Sequence, residues 1–186
     1  MSTEERVREA AVALFAERGF HGTGIRDLAQ AAGLSSATLY HYMGTKEDLL
    51  AAIMRASLTA LIAAAEQITG DPRERLIALV RMHVQAHAEK PRETLVVDGE
   101  MRALTGERRA EIVALRDRYE QFWQDAISEG IKARQLTVAE PNVARLALLE
   151  MCSGVSRWYS PAGPVKLSDL TMQYAGMALG MLGAAR

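Results

Sequence analysis

Two histidines four residues apart, His83 and His87, have the spacing of paired metal ligands on one face of a helix. A hydrolytic zinc site of this type also needs a glutamate directly after the first histidine and a third ligand, and the sequence marks neither. The alternative is that both imidazoles line a cavity or pack in a helical core. We therefore expect no metal and no cofactor, and we keep His83 as a candidate ligand-cavity residue.

Other reactive side chains lack the sequence context that catalysis requires. Ser153 and Ser156 have no nucleophile-elbow pattern around them, and the chain has no glycine-rich phosphate loop. Cys152 is the single cysteine and lies in an apolar stretch, which favours a packing role and excludes an intramolecular disulfide. The sequence gives no support for an enzyme.

The stretch from Thr23 to Lys46 instead predicts two short helices joined by a tight turn. One face of the first helix carries apolar side chains at helical spacing: Ile25, Leu28, Ala29 and Ala32. Gly33 can adopt the left-handed conformation that ends this helix, and Ser35 is a favourable N-cap for a second helix over Ser36 to Tyr42. The outward side chains of the second helix are small, polar or aromatic, which suits the major groove of DNA: Ser36, Ala37, Thr38, His41 and Tyr42.

Lys46 is an anomaly at the start of the next helix, which Thr45 and Asp48 are expected to cap. A cation in the first turn opposes the helix dipole. A bound phosphate would reverse that effect, because the ammonium and the free backbone N–H groups would hold it together. The alternative is a solvated surface lysine, and we favour the phosphate contact.

Several blocks of this region resemble the DNA-binding signature of TetR-family transcriptional repressors. The blocks are Leu28-Ala29, Ala32-Gly33-Leu34-Ser35, Thr38-Leu39-Tyr40-His41-Tyr42 and Lys46-Glu47-Asp48-Leu49-Leu50. Met43 stands where the family usually has Phe, and Gly24 where it usually has Thr.

This resemblance implies a role for each candidate DNA-binding residue. Base edges are assigned to Arg26, Ser36 and Ala37, and phosphates to Thr23, Thr38, Tyr42 and Lys46. His41 fits either a base contact or a phosphate contact. Tyr40 either contacts DNA at the edge of the groove or packs inside the domain. Ser35 is the remaining candidate DNA-binding residue.

Charge alone does not point to DNA. The formal net charge of the 186-residue chain is −1, and acidic side chains slightly outnumber basic ones before residue 62 as well. A DNA-binding protein with this balance must rely on a few placed contacts and helix N-termini. We count the charge as evidence against DNA binding that the motif outweighs.

The whole chain is predicted to be helical. After a first helix closed by Gly19, the later helices are expected at Thr45–Thr69, Pro72–Ala88, Pro91–Leu104, Glu107–Ala133, Ala139–Tyr159 and Ser168–Leu182. The predicted fold is all-α. A three-helix helix-turn-helix domain (residues 1–50) is joined by a long helix to a helical effector-binding and dimerisation domain (51–186). No signal peptide or membrane span is expected, so the predicted location is the cytoplasm.

Methionine and aromatic side chains of the second domain suit either a large apolar pocket or an ordinary helical core. The segment Gly154–Leu182 is similar to a TetR branch that regulates lipid and steroid breakdown and responds to acyl-CoA thioesters. This similarity implies an acyl chamber, with Arg157 binding CoA phosphates and Trp158 stacking on adenine at its mouth. Glu100 is either a polar anchor or a surface charge. The candidate effector-binding residues are Met82, His83, Glu100, Met101, Tyr119, Trp123, Met151, Val155, Arg157 and Trp158.

The closing helices, over 139–159 and 168–182, carry more apolar surface than one small domain needs. We expect them to form an isologous homodimer on a palindromic double-stranded DNA operator. The predicted function is a TetR-type repressor released by a small hydrophobic, lipid-derived or acyl-CoA effector. The alternatives are an effector-independent structural DNA-binding protein and a regulator of efflux that responds to a hydrophobic, drug-like ligand.

Overall fold

Ten α-helices follow one another along residues 1–184, the part of the chain that this computed structural model describes, and no strand occurs among them. In chain order they are α1 (Thr3–Gly22), α2 (Ile25–Ala32), α3 (Ser36–Met43), α4 (Lys46–Glu66), α5 (Pro72–Glu89), α6 (Pro91–Gly99), α7 (Gly106–Lys132), α8 (Pro141–Ser153), α9 (Val155–Trp158) and α10 (Leu167–Met181). A short 3-10 helix, Met101–Ala103, lies between α6 and α7. The predicted all-α class is confirmed.

Local capping explains where the first helices begin and end. Ser2 and Glu5 form a reciprocal capping box at the start of α1. Gly33 takes the left-handed conformation (φ 67°, ψ 39°) and ends α2. The Ser35 hydroxyl accepts a hydrogen bond from the Thr38 N–H at 3.1 Å and starts α3. Gly19, at φ 73° and ψ 164°, interrupts α1 where the sequence predicts its end.

Three predicted helices differ from the observed ones in extent. The helix expected to reach Thr69 ends at Glu66, because i→i+3 bonds such as Gln67 N–H to Ala64 O tighten its last turn. The helix expected over 91–104 ends at Gly99, a poor helix former. The helix expected over 139–159 divides at Gly154 into α8 and α9, although the Gly154 N–H still donates to Glu150 O at 3.1 Å.

The first of two compact units comprises residues 1–59 and 92–115. Helices α2 and α3 pack on α1 and on each other. Val96, Val97, Leu104 and Ile112 are buried in the same core as the side chains of α1–α4. The unit therefore includes a segment distant in sequence from the helix-turn-helix region. The functional boundary at residue 50 stays a prediction.

The second unit comprises residues 60–91 and the chain from 116 onward. Helix α5 packs against α8, α9 and α10. Asp71 caps α5 by accepting from the backbone N–H groups of Arg73 and Glu74, and Pro72 takes the first helical position. The largest fully buried side chains here are Leu76, Trp123, Ile127 and Leu148.

Within residues 1–184, α4 is the one helix that is long and apolar enough to cross a membrane. Its side chains Leu50, Ile53 and Met54 are fully buried in the core of the first unit. This burial is the pattern of a core helix and does not indicate a membrane span.

Candidate functional site

Helix α3 presents a continuous exposed face on the first unit. Leu39 and Met43 point inward and are buried. On the outward side, Ala37, Thr38 and His41 are exposed, and 51% of Tyr40 is exposed. A short helix with one buried stripe and small, polar and aromatic groups outside can be laid against DNA without steric conflict from bulky aliphatic side chains.

Polar groups of this face are hydrogen-bonded to one another around the start of α3. The hydroxyls of Ser35 and Thr38 lie 2.8 Å apart. The rings of His41 and Tyr42 meet edge to face with centroids 5.4 Å apart. Ser36 is half-buried, and Arg26 is exposed in the first turn of α2. The structure thus leaves Thr38, His41 and Tyr42 on α3, and Arg26 on α2, exposed to solvent.

Thr23 departs from the prediction. Only 1% of this residue is exposed, and its hydroxyl donates to the backbone oxygens of Leu14 at 3.2 Å and Gly19 at 2.9 Å. Its backbone N–H is also bonded, to Phe20 O at 3.3 Å. Thr23 therefore fastens the end of α1 to the start of α2, and a phosphate contact by its side chain is corrected to a structural role.

Lys46 has an unexpected pair of acceptors in this structure. Its ammonium donates to Phe20 O and to Thr23 O, each at 2.7 Å, and lies 4.2 Å from the centre of the Phe20 ring. These carbonyls are at the C-terminal end of α1, where the helix dipole favours a cation. The favourable interaction of the Lys46 ammonium with the end of α1 therefore offsets its unfavourable interaction with the dipole of α4. Two of the three N–H groups of the ammonium are used by these carbonyls, and the third is left for a phosphate.

Glu100 also binds the turn at the end of α1. Its carboxylate accepts a hydrogen bond from the Phe20 N–H at 3.2 Å and lies beside Gly19. The sequence predicted that Glu100 is either a polar anchor in a pocket or a surface charge. The structure shows a different role, because Glu100 binds the end of α1. Sequence reasoning had no signal for it, because the two groups are far apart in the chain.

An ion pair and a hydrogen bond tie the start of α4 to the segment 92–115 within the first unit. Asp48 accepts from Arg108 Nε at 2.5 Å and from the Thr45 N–H at 2.9 Å, which confirms the predicted cap of α4. The hydrogen bond from Arg108, with those from Thr45, holds the pKa of the Asp48 carboxyl well below its usual range. Glu47 accepts from the Thr105 N–H at 2.7 Å. The segment 92–115 thus supports the helices that position α3.

The predicted effector-binding residues are divided between the units. Glu100 and Met101 belong to the first unit, and Met101 packs against its core. The other eight belong to the second unit. Met82 and Met151 are half-buried, Val155 is fully buried, and Arg157 and Trp158 are exposed on the short helix α9.

Three of these residues meet in a buried cluster, which we call the His83 cluster: His83, Tyr119 and Trp123, with His87 and Ser153 beside them. His83 Nδ1 lies 2.9 Å from the Tyr119 hydroxyl and its Nε2 lies 3.0 Å from Ser153 Oγ. The imidazoles of His83 and His87 stack with centroids 4.0 Å apart. Burial, with the neighbouring His87, lowers the pKa of His83 well below its usual 6.5.

These contacts give both nitrogens of His83 hydrogen-bond partners without a metal ion. Within residues 1–184, no three His, Cys, Asp or Glu side chains gather as a metal-binding group. The histidine pair is therefore explained as part of a polar core cluster, and the structure gives it no third metal ligand.

Cys152 is buried in α8, and burial raises the pKa of its thiol to about 12. A thiol of this kind is a packing group and a poor nucleophile. The sequence predicts this role for Cys152.

The chain matches two family models. Residues 7–53 match the model described as bacterial regulatory proteins, tetR family. Residues 69–182, more than half of the chain, match the model described as tetracyclin repressor-like, C-terminal domain.

Individual proteins are similar over nearly the whole chain. The HTH-type transcriptional repressor KstR2 of Mycobacterium tuberculosis is 29% identical over 177 residues, which cover 92% of this chain and 88% of KstR2. The structure of that organism's ketosteroid regulator KstR2 has a TM-score of 0.88 at 27% identity and covers 100% of this chain and 96% of that one. AibR, solved with isovaleryl coenzyme A and operator DNA, has a TM-score of 0.84 at 28% identity and covers 97% of this chain and 98% of AibR.

Proposed function

Because the chain belongs to the TetR family of bacterial regulatory proteins, we propose that it is a homodimeric, cytoplasmic repressor released from a palindromic operator by an acyl-CoA thioester. The exposed face of α3 carries the DNA-binding part of this proposal. The similarity to KstR2, a repressor, supports the direction of regulation. The similarity to AibR, which binds isovaleryl coenzyme A, supports the class of effector.

Within the proposed DNA interface, Arg26, Ser36 and Ala37 contact base edges. Thr38, Tyr42 and Lys46 hold phosphates, while His41 and Tyr40 lie at the edge of the groove and Ser35 caps the inserted helix. The free N–H groups at the start of α3 and the third donor of Lys46 supply positive potential that the net charge does not.

Lys46→Ala and Arg26→Ala are expected to weaken DNA binding in different ways. Lys46→Ala lowers affinity equally on all sequences and reduces the salt slope by about one, because one phosphate contact is lost. Arg26→Ala relaxes the preference at one operator position and costs about 1–3 kcal/mol where Arg26 pairs with guanine. Fluorescence anisotropy over a range of salt, on a selected operator and on scrambled DNA, measures both effects.

The matched control is Lys132→Ala, which removes an exposed cation at the end of α7, outside the proposed interface. It should leave both the slope and the preference unchanged. A Lys46→Ala protein with an altered sequence preference and an intact salt slope would show that Lys46 acts on DNA only through the α1 turn.

The proposed dimer interface is formed by α8 and α10. Large apolar side chains are exposed on these two helices when the chain is alone: Val143, Leu146, Met172, Met177 and Met181. Solvent exposure of this many large apolar groups on two helices is unfavourable, and a two-fold mate would cover the same groups on both chains.

Effector binding is proposed to occur in the second unit. The acyl part is taken up by an apolar chamber near Met82, Met151 and Val155, while the exposed Arg157 and Trp158 receive the CoA phosphates and the adenine. Release from DNA requires the ligand to prefer a protein arrangement in which the two α3 helices no longer fit the operator. A nearly complete shift requires a preference of about 5.5 kcal/mol.

A gel-shift titration tests the effector class. A long-chain acyl-CoA should release the operator, whereas free CoA and the free fatty acid should not do so at the same concentration, because each supplies only one of the two ligand ends. Arg157→Ala should raise the acyl-CoA concentration needed for release by about ten-fold, the loss expected from one charge-assisted hydrogen bond. Lys132→Ala, which removes an exposed cation at the end of α7 outside the proposed dimer interface, is the control and should behave as wild type.

Release by the free fatty acid as readily as by the thioester, unaffected by Arg157→Ala, would remove CoA recognition from the proposal. The repressor function would remain.

A further inference from the structure

The indole N–H of Trp123 is a buried hydrogen-bond donor without an acceptor. Trp123 is 0% exposed, and its ring lies edge-on to His83 and Tyr119, with centroids 5.6 Å and 6.4 Å away. Buried indole N–H groups nearly always find a partner, because leaving one unpaired costs folding free energy. The unpaired indole N–H therefore indicates a site for a ligand atom that accepts a hydrogen bond.

The surroundings of Trp123 restrict what that group can be. Its aromatic neighbours His83 and Tyr119 are bonded to each other, and His83 is bonded in turn to Ser153. Burial lowers the pKa of His83 well below 6.5, so its imidazole is neutral at physiological pH, and the Ser153 hydroxyl and the Trp123 indole carry no charge. The His83 cluster therefore offers hydrogen bonds but no formal positive charge from these groups.

A single buried indole N–H beside uncharged groups distinguishes between two kinds of oxygen. A carbonyl oxygen can accept the Trp123 N–H and remain uncharged. A carboxylate buried beside the same groups would lose its hydration without gaining an opposite charge, and that exchange is unfavourable.

We propose that Trp123 donates its indole N–H to the thioester carbonyl oxygen of the effector, and that the His83 cluster makes this subsite select a neutral acyl carbonyl over a carboxylate. The assignment rests on the acyl-CoA effector of the proposed function and extends it, since it identifies the group that recognises the bond between the acyl chain and CoA. Arg157 and Trp158 recognise the CoA end, and Trp123 recognises the junction.

A pair of CoA derivatives that differ only in the carbonyl group tests the assignment. The probes are a long-chain acyl-CoA and the matching S-alkyl-CoA thioether, in which a methylene replaces the carbonyl. Isothermal titration calorimetry on the wild-type protein should show the thioether binding about ten-fold more weakly, the effect of one lost hydrogen bond to a buried donor. Trp123→Phe, which keeps an aromatic ring and removes the donor, should weaken the acyl-CoA to the level of the thioether and leave the thioether nearly unchanged.

The four affinities separate the outcomes. A purely structural role of Trp123 would weaken both probes equally in Trp123→Phe, and would overturn the assignment. Equal binding of both probes to wild type would also overturn it, even if Trp123→Phe failed to fold, and would mean that the indole is satisfied by a resident water only. If both probes still released the operator in that case, the proposed function would survive. If neither CoA derivative bound the wild-type protein, the effector class itself would be wrong, and the assignment would fall with it.

Discussion

Met177→Glu should convert the protein to a monomer at micromolar concentration and lower its affinity for a palindromic operator by about 10²–10⁴-fold, the range that separates two linked contacts from one. Met177 lies on α10 and is 47% exposed in the isolated chain. In an isologous interface the substitution places two carboxylates in a surface that would otherwise be buried and apolar. Light scattering gives the mass, and anisotropy on an operator with one or two half-sites gives the affinity.

Val113→Glu is the matched control. Val113 is also a large exposed apolar residue, at 37%, but it lies on the part of α7 that belongs to the first unit, outside the proposed interface. It should remain dimeric with unchanged affinity. A dimer that persists in Met177→Glu with full operator affinity would place the interface elsewhere.

The free energy of unfolding should fall by about 1.4 kcal/mol for each pH unit below 6.5, because His83 remains neutral in the folded protein. The unfolded chain takes up a proton near the ordinary pKa of 6.5, while the buried His83 has its pKa well below that value. The unfolded state therefore binds more protons in this window, and stability rises with pH. The contribution is fully present above pH 6.5 and is lost as the pH falls from 6.5 toward the lowered pKa of the folded protein. Urea unfolding at several pH values measures the slope.

His83→Gln should remove most of this slope, although the variant is less stable at neutral pH because Tyr119 and Ser153 lose their shared partner. The exposed His41 provides the control, since His41→Gln should keep the wild-type slope. The lowered pKa values of Asp48 and Glu111 act in more acidic solution, below their ordinary 3.8 and 4.5. An unchanged slope in His83→Gln would show that another group carries the proton linkage.

Sequence patterns predicted the features of this fold that depend on neighbouring residues. The Ser35 N-cap of α3, the left-handed Gly33 and the start of α5 at Pro72 involve groups within one helical turn, so their spacing determines the outcome. The family of the chain was predicted for the same reason, since the blocks that carry the resemblance lie close together between Leu28 and Leu50.

Contacts between distant residues were not predictable from those patterns. The sequence marked Lys46 as a misplaced cation but could not show that α1 ends beside it. The Glu100 carboxylate accepts a hydrogen bond from the Phe20 N–H, which is 80 residues away in the chain. The inclusion of the segment 92–115 in the first unit likewise depends on tertiary burial of Val96 and Ile112, which a helical periodicity does not assign to either unit.

The inert thiol of Cys152 has a practical consequence for observing regulation. Because Cys152 is buried and the pKa of its thiol is about 12, the native chain offers almost no thiolate to a nitroxide reagent at neutral pH. A cysteine introduced at the exposed position Gln30 on α2 would therefore carry the spin label alone, without removal of the natural residue. A dimer labelled in this way holds two nitroxides, and their dipolar coupling would report the distance between the two DNA-binding units directly, with operator, with effector, or with neither.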